Sequence, residues 1–499
     1  MTTPTPPSEL AASDQITARF NEKQTPLSEE LLQALANSGV SVDRSESSRV
    51  EHSRDWWPLS IGWAAQGRVP AIASGVVKAS STDDVAAVLT VCNDAGVPVT
   101  AVAGRSGVCG GSIPLHGGVA LDLCGLNQIL EVDEVSQTVT VQAGVFGPEL
   151  EAHLAATGTG YTLGHWPQSF ELSTVGGWLA CRGAGQYSTR YGKIEDMVRG
   201  LTVVLADGRV IETDGHGPRS ATGPSLTQLF VGSEGTLGII TQATFAIHHV
   251  APSQQRGAWG FDDFAEGLDA CRKILQRGAT PAVLRLYDVT ESKRTFDLET
   301  NVLIVLDEAD HHLVDATFAI VREEVASAAA LDSTLVDVWL KHRNDVSALA
   351  PLWNAKIVVD TIEMSGEWAA LPGVCSAVLS ALHAVDGTMV ASVHQSHAYS
   401  DGACLYFTFA GRVSEKGDEY GNLDAEEAYY RACWDAATAA IETAGAAISH
   451  HHGIGMNRGR FLASAMGASF GVLQDIKTTL DPNQILNPGK LGLNGGGPW

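Results

Sequence analysis

Three consecutive histidines near the end of the chain, in the run SHHHGIG (449–455), are its most evident acid-base groups. A neutral imidazole takes a proton from a hydroxyl or holds an oxyanion, and its pKa suits neutral pH. Neighbouring side chains point in different directions, so the three rings cannot easily ligate one metal ion together. The run therefore favours proton transfer over metal binding.

Two further polar groups stand in apolar runs. Tyr406 lies in ACLYFTFAG, where it is either a phenolic acid-base group or a core aromatic, and both interpretations stay open. Arg285 lies in VLRLYD, and a buried arginine needs an anionic partner. That partner is either a bound anion or a structural acid such as Asp288.

Three glycine-rich stretches indicate a large phosphate-bearing cofactor. They read AVAGRSGVCGGS (101–112), GHWPQSFELSTVGGW (164–178) and GSEGTLGII (232–240). Small side chains let the backbone approach a ligand closely. The chain has neither GxxxxGK[ST] nor a GxGxxG that closes a strand-helix turn. A dinucleotide would therefore be held by converging loops.

The order of these stretches resembles the FAD-binding domain of the vanillyl-alcohol-oxidase/p-cresol-methylhydroxylase (PCMH) superfamily. Within it, the runs at 164–198, 217–241 and 481–491 are similar to alkylglycerone-phosphate synthase and its bacterial relatives. The resemblance implies an α+β fold, with a two-part PCMH-type FAD-binding domain and an α+β cap domain whose sheet is mainly antiparallel. It also implies FAD as the cofactor and a homodimer.

The loops then take separate roles around FAD. The first supplies N–H groups to the pyrophosphate, the second contacts the pyrophosphate and the isoalloxazine edge, and the third contacts the ribose and adenine. Arg105 departs from the usual glycine-rich run of the relatives, and it can itself pair with a phosphate. The predicted cofactor-binding residues are Gly104, Arg105, Ser106, Gly107, Val108, Gly110, Ser112, Pro167, Ser173, Thr174, Gly176, Gly177, Glu234, Gly235, Gly238 and Ile240.

The resemblance also assigns catalytic roles. It places His451, His452 and Tyr406 at the flavin face, and it places Arg285 facing the flavin and the substrate, where it would hold a carboxylate or stabilise negative charge. His165, just before the second loop, is as readily structural as functional.

Covalent flavin attachment and metal binding are both predicted to be absent. No histidine lies between 101 and 112, where some superfamily branches link the flavin, and Cys109 is more simply a small buried thiol. The related D-2-hydroxyacid dehydrogenases hold a metal with a histidine and a carboxylate, and His394 and His397 have suitable spacing. His451 stands where that carboxylate is expected, so we predict no metal.

The spacing of apolar residues predicts the helices and strands that position these groups. Residues 27–38 have a helical pattern, and residues 83–102 read as a helix, a glycine stop and a strand. LTVVLADGRVIET (201–213) predicts a hairpin with Asp-Gly at its turn. The run 403–411 predicts a strand, and residues 425–449 predict a long amphipathic helix.

Composition narrows the functional class. The net charge of −25 argues against nucleic acid and against anionic membrane surfaces. Eight cysteines without a CxxC pair, no signal-peptide pattern and no apolar run of 18 residues favour a cytoplasmic protein without an integral membrane segment. The partner is then a small-molecule substrate.

Four segments are expected: a tail and helical segment (1–69), the FAD-binding PCMH-type domain (70–250), the substrate cap domain (251–448) and a segment returning to the FAD domain (449–499).

Three functions fit the sequence. The favoured one is an FAD-dependent oxidoreductase that oxidises an alcohol or 2-hydroxy acid by hydride transfer to flavin N5. The alternative is the synthase reaction, which exchanges acyl for alkyl on acyl-dihydroxyacetone phosphate. Counting back 14 residues from Glu363, to where the synthases have an arginine, reaches Leu349, while Arg343 is out of register. A non-catalytic binding module is disfavoured because the histidine, tyrosine and arginine groups are retained.

Overall fold

We describe the protein from a computed structural model, which describes residues 4–6, 8–11, 16–20, 22–214, 217–413, 423–493 and 499. The first half of the chain alternates short strands with helices. Its elements are β1 (Thr17–Ala18), α1 (Glu29–Asn37), α2 (Glu46–Glu51), α3 (Pro58–Ala64), β2 (Arg68–Val69), β3 (Gly75–Lys78), α4 (Thr82–Ala95), β4 (Val99–Val102), β5 (Val119–Asp122), β6 (Ile129–Asp133), β7 (Thr138–Gln142), α5 (Gly147–Ala155), β8 (Tyr161–Thr162), α6 (Val175–Cys181), α7 (Ser188–Tyr191), α8 (Ile194–Met197), β9 (Val198–Val204), β10 (Val210–Glu212), α9 (Leu226–Phe230), β11 (Ile239–Ala246) and β12 (His248–His249).

The second half contains the longer strands. Its elements are β13 (Ser253–Phe261), α10 (Phe264–Gln276), β14 (Val283–Tyr287), α11 (Val289–Phe296), β15 (Asn301–Ala309), α12 (His311–Glu324), β16 (Ala329–Leu331), α13 (Thr334–His342), α14 (Leu349–Asn354), β17 (Val358–Glu367), α15 (Leu371–His383), β18 (Thr388–Ala398), β19 (Gly402–Gly411), α16 (Leu423–Thr443), α17 (Gly459–Met466) and α18 (Ser469–Leu480).

Two sheets of different kinds form the first half. A three-stranded parallel sheet has the order β3-β5-β4, and a five-stranded antiparallel sheet has the order β10-β9-β11-β7-β6. Short pairs join β1 to β2 and β12 to β8. This is the two-part arrangement expected of the FAD-binding domain.

One large sheet organises the second half. Its seven strands have the order β16-β13-β15-β14-β18-β19-β17, and every pairing is antiparallel. Helices such as α10, α12, α15 and α16 pack against its strands. The predicted α+β class and the antiparallel cap sheet are confirmed.

Local signals explain the predicted elements. Helix α4 begins at a capping box in which Ser81 and Asp84 satisfy each other's backbone N–H groups, and it ends at Gly96 with φ +63°. Strand β4 follows, as predicted. The predicted hairpin is β9–β10, and Gly208 at its turn has φ +84°. In the part of the chain that the structure describes, no helix is both long and apolar enough to cross a bilayer.

The end of the chain packs against the first half. Val99 pairs with Leu486 in a parallel bridge, and the Asn487 side chain donates to the carbonyls of Gly111 and Glu234. The buried Lys477 ammonium pairs with Asp481 and donates to the Leu486 carbonyl at 2.9 Å. A buried ammonium is stable only when so satisfied. The four predicted domain boundaries stay predictions.

Candidate active site

A row of four residues crosses four neighbouring strands of the large sheet. Tyr287 (β14) stands opposite His394 (β18), His394 opposite Tyr406 (β19), and Tyr406 opposite Glu363 (β17). Residues directly opposite one another share a face of the sheet. The aromatic members stack, with ring centroids 5.3 Å apart for Tyr287 and His394 and 4.9 Å apart for His394 and Tyr406. The register therefore concentrates polar groups on one face.

Glu363 anchors the histidine run to this row. Its carboxylate accepts the backbone N–H groups of His450 and His452, the latter at 2.9 Å, and the Ser449 hydroxyl at 2.8 Å. The Arg458 guanidinium completes the set with Nη1 2.9 Å from Oε1. Burial would raise the pKa of Glu363, but the charge of Arg458 brings it well below its usual range. A fully buried carboxylate thus fixes the backbone that carries the histidine rings.

The Tyr406 hydroxyl lies between two predicted catalytic histidines. Its oxygen is 2.6 Å from Nε2 of His451 and 3.0 Å from Nε2 of His452. Burial lowers the pKa of His452 to about 4, holds that of His451 well below its ordinary value, and raises that of Tyr406 well above its ordinary value. All three groups are therefore neutral near neutral pH, which is the form in which they relay protons.

The hydrogen bonds continue beyond His451. Its Nδ1 is 2.9 Å from Nδ1 of His450, whose Nε2 is 3.0 Å from the Tyr399 hydroxyl. Ser188 Oγ then lies 3.2 Å from that hydroxyl and 2.8 Å from Nδ1 of His397. Ring nitrogens of His397, His450 and His451 lie within 4.8 Å of one another, but these hydrogen bonds already engage Nδ1 of each ring, and we assign no metal. The predicted lack of a metal stays a prediction.

Two arginines without ion pairs lie beyond Tyr287. Arg285 donates from Nε to the Tyr287 hydroxyl at 3.0 Å, and no carboxylate of a described residue lies within ion-pair distance of it. Asp288 instead caps α11, which argues against the structural ion pair considered for Arg285. Arg343, which follows α13, lies 5.6 Å from the Trp339 ring, and Arg285 lies 5.4 Å from the same ring.

The position of Arg343 differs from what the residue count along the sequence predicted. No arginine stands at the counted position, yet the structure brings Arg343 to the Trp339 ring, which Arg285 also contacts. Its Nη1 is buried without a hydrogen-bond partner among the described residues. A buried, unsatisfied guanidinium N–H is a ready donor for an anionic ligand.

The first glycine-rich loop has the form of a cofactor cradle. No N–H group from Arg105 to Cys109 donates to a carbonyl of the described residues. A Cβ added at Gly107 would meet no atom within 4 Å, and Ser112 Oγ is buried without a partner. Free N–H groups facing open space are what a pyrophosphate requires. The residues present therefore fit FAD at this loop.

The second loop approaches the first closely. A Cβ at Gly104 would lie 2.3 Å from the Leu172 carbonyl, and one at Gly176 would lie 2.7 Å from the Ala143 methyl group. Gly177 is exposed, with only Thr174 Oγ1 within 4 Å of an added Cβ. Thr174 caps α6, while Ser173 accepts the Trp178 indole N–H at 2.6 Å. Both hydroxyls therefore have protein partners, and the first N–H groups of α6 donate to the Val145 and Ala143 carbonyls.

Two predicted cofactor residues have protein partners. Arg105 (φ +56°) donates to the Glu51 carbonyl at 2.7 Å. Glu234 (φ +50°) accepts the N–H groups of Ile454 and Gly455 at 2.6 and 2.8 Å. Glu234 thus holds the loop after the histidine run in place, close to the cradle.

The cofactor role of the remaining predicted residues stays a prediction. Ser106, Val108 and Pro167 are half-buried, and Gly110 (φ +74°) and Gly235 (φ +71°) make turns. Gly238 packs against Val203, and Ile240 is buried in β11. Cys109 is buried, and burial raises the pKa of its thiol well above the ordinary value. His165 is fully buried against Trp178 and has no hydrogen-bond partner among the described residues.

Both halves of the chain match known protein families. Residues 73–214 match the family of FAD binding domains, and residues 251–491 match the C-terminal domain of FAD linked oxidases. The uncharacterized FAD-linked oxidoreductase YgcU of Escherichia coli (strain K12) is 32% identical over 450 residues, covering 84% of this chain and 89% of that protein. The chain belongs to the FAD-linked oxidoreductases.

Other relatives of this FAD-linked oxidoreductase have different named activities. The alkyldihydroxyacetonephosphate synthase of Dictyostelium discoideum is 30% identical over 455 residues, covering 83% of this chain and 72% of that protein. The glycolate oxidase subunit GlcD of Bacillus subtilis (strain 168) is 27% identical over 471 residues, covering 90% and 93%.

Solved structures confirm the PCMH-type fold, and the family matches show FAD as the cofactor. An alkyldihydroxyacetonephosphate synthase structure has a TM-score of 0.76 at 25% identity, covering 98% of this chain and 89% of that one. A p-cresol methylhydroxylase structure also has a TM-score of 0.76, at 17% identity, covering 94% and 98%.

Several site residues escaped sequence analysis. In the sequence analysis Glu363 served only as the position from which 14 residues were counted back. The roles of His450, Tyr399 and Ser188 depend on contacts between distant segments. A buried glutamate in an apolar strand was the one available signal, because such a group needs compensating partners.

Proposed function

We propose that this protein is an FAD-dependent oxidoreductase, an oxidase or dehydrogenase, that oxidises an alcohol or 2-hydroxy acid. The observation that supports this most directly is the Tyr406 hydroxyl, held within hydrogen-bond distance of two neutral imidazoles. Alcohol oxidation needs a group that removes the hydroxyl proton as a hydride leaves the neighbouring carbon.

The chain's own residues supply that proton transfer. The substrate hydroxyl gives its proton to the Tyr406 oxygen as Tyr406 gives its own to His451 or His452. A proton held by His452 would be stabilised by Glu363, whose Oε1 is 3.9 Å from Nδ1. Bound FAD supplies the hydride acceptor at N5. Residues 105–109 would hold it through their backbone N–H groups, which donate to no carbonyl of the described residues.

The two arginines favour a substrate with a negatively charged group. Arg285 and Arg343 both contact Trp339, and neither has a carboxylate partner among the described residues. A carboxylate accepts paired N–H groups from a guanidinium. The net charge of −25 makes such a local basic pair necessary for anion binding.

The second candidate is the synthase exchange of acyl for alkyl on acyl-dihydroxyacetone phosphate. Arg343 favours it, because a phosphate would also pair with two guanidinium groups. The same tyrosine and histidines would then take the proton of the incoming alcohol. We rank it second because most of the chain matches an FAD-linked oxidoreductase at the higher identity.

The proposal includes non-covalent FAD, a homodimer and a cytoplasmic location. All eight cysteines are free, which suits a reducing compartment. The loop from 101 to 112 contains no histidine to link the flavin. Acid precipitation should therefore release the yellow colour into solution, and colour retained in the pellet would show a covalent bond.

The experiment compares anaerobic flavin reduction in Tyr406→Phe and His452→Ala with that in the parent protein. Each variant should keep its flavin content and reduce it about 100-fold more slowly, the low end of a general acid-base contribution. His153→Ala, at an exposed position of α5, is the control and should behave as the parent. Loss of flavin in His452→Ala would make that ring structural, and unchanged reduction would exclude the proposed role.

A further inference from the structure

One hydrogen-bonded chain leads from the catalytic phenol toward the surface. It runs from Tyr406 through His451 and His450 to Tyr399, with heavy-atom distances of 2.6, 2.9 and 3.0 Å. All three distances suit good hydrogen bonds. Tyr399 is half-buried at the turn between β18 and β19, and the next residues, Ser400 and Asp401, are both exposed.

The donor and acceptor pattern of this chain is complete with every ring neutral. When Tyr406 donates to His451 Nε2, His451 Nδ1–H donates to His450 Nδ1, and His450 Nε2–H donates to the Tyr399 oxygen. The reverse direction is equally complete, with both tautomers exchanged. Ser188 continues the pattern, because its hydroxyl accepts from Tyr399 and donates to His397, or the reverse.

We propose that Tyr406, His451, His450 and Tyr399 form a proton relay that carries the substrate's hydroxyl proton out of the buried site. Each group passes on one proton and receives one, so the Tyr406 O–H bond breaks as a bond to His451 Nε2 forms, and so on to Tyr399. The proton leaves to solvent from the Tyr399 hydroxyl. No group keeps a net charge, and no electrons move along the relay.

The environment of His450 and His451 favours passing a proton on over holding it. Burial, together with the charge of Lys193, whose ammonium donates to the His450 carbonyl at 2.7 Å, lowers the pKa of His450 to about 3. Burial also holds the pKa of His451 well below its ordinary value, with the neighbouring rings adding to the effect. A ring that does not hold a proton stably is suited to pass it on.

The relay extends the proposed function, and its first test needs no substrate. In a long-range ¹H–¹⁵N spectrum of the ¹⁵N-histidine-labelled holoenzyme, His450 and His451 should both be neutral and should have opposite tautomers, because one Nδ1–H lies between them. Equal tautomers or a doubly protonated ring would overturn the relay. So would metal analysis that found one bound ion per chain together with metal-shifted nitrogens.

The second test removes only the outer hydroxyl, in Tyr399→Phe. Turnover in a weakly buffering solution should fall about 10-fold to 100-fold, and added imidazole should restore most of it by carrying the proton instead. Tyr429→Phe is the control, because the hydroxyl of that buried tyrosine bonds to Thr388, 3.0 Å away on the far end of β18 and outside the relay, and it should behave as the parent. Loss that imidazole does not restore, or no loss, would overturn the relay.

These outcomes separate the relay from the proposed function. The kinetic test uses whichever compound reacts, and the synthase exchange also requires removal of an alcohol proton. A reaction with the ketone phosphate alone would therefore contradict the oxidoreductase, while imidazole rescue of Tyr399→Phe would still support the relay.

Discussion

Glu363 and Arg458 form an ion pair that is almost completely excluded from solvent, with 0% and 1% of their side chains exposed and Nη1 2.9 Å from Oε1. The same carboxylate accepts the N–H groups of His450 and His452. A charge pair between the cap sheet and the start of α17 therefore sets the position of the loop that carries the three histidines. Desolvation of such a pair is costly, so its value lies in positioning rather than in net stability.

Removing one partner of this pair should be strongly destabilising. Glu363→Gln leaves the Arg458 charge buried, and we expect the free energy of unfolding to fall by about 3–5 kcal/mol. Urea unfolding measures this change. Glu367→Gln, at the exposed end of β17, is the control and should have little effect. A loss below about 1 kcal/mol in Glu363→Gln would show that the pair is solvated.

Asp55 predicts a pH dependence of stability. Burial raises the pKa of its carboxyl from 3.8 to about 7, and hydrogen bonds from Trp57, Gly110 and Ser112 offset only part of this effect. The folded protein then holds a proton that the unfolded chain releases, so this stabilisation is full below pH 3.8 and is lost as the pH rises through about 7.

Asp55→Asn should remove that contribution. We expect thermal unfolding between about pH 5 and about pH 8 to depend less on pH in the variant than in the parent, at equal flavin content. An equally steep dependence would show that Asp55 is already ionised in the folded protein.

Two glycines of the first loop should respond differently to alanine. Gly104→Ala places a methyl group 2.3 Å from the Leu172 carbonyl and should lower the melting temperature. Gly107→Ala meets no protein atom within 4 Å, so it should leave the apoprotein's melting temperature unchanged while reducing flavin content. Full flavin content in Gly107→Ala would place the cofactor elsewhere.

Arg343 should act on substrate binding. Arg343→Ala removes hydrogen bonds to a charged group, each worth about 1.5–3 kcal/mol, so KM for an anionic substrate should rise about 10-fold to 100-fold with a smaller change in kcat. Lys341→Ala, an exposed cation on the neighbouring helix, is the control for general electrostatics. Equal effects of the two substitutions would argue against a specific anion site.

The sequence predicted those features of the fold that depend on residues close together in the chain. The glycine loops, the Asp-Gly hairpin and the strand that carries Tyr406 follow from residue types and periodicity, and the resemblance supplied the cap sheet. Contacts between distant segments were not predictable in this way. Glu234 was expected beside the ribose, but its carboxylate accepts the N–H groups of Ile454 and Gly455. The count of residues back from Glu363 left Arg343 out of register with the arginine of the synthases. Its position in the structure depends instead on how α13 packs beside Tyr187.

Anaerobic mixing of the purified yellow protein with alcohols, 2-hydroxy acids and acyl-dihydroxyacetone phosphate tests the central claim most directly. The visible flavin band reports the outcome. We expect an alcohol or a 2-hydroxy acid to bleach it, which would establish hydride transfer and name the substrate class. No bleaching by any of these compounds, with a lasting spectral change only for the ketone phosphate, would contradict the oxidoreductase and support the synthase reaction.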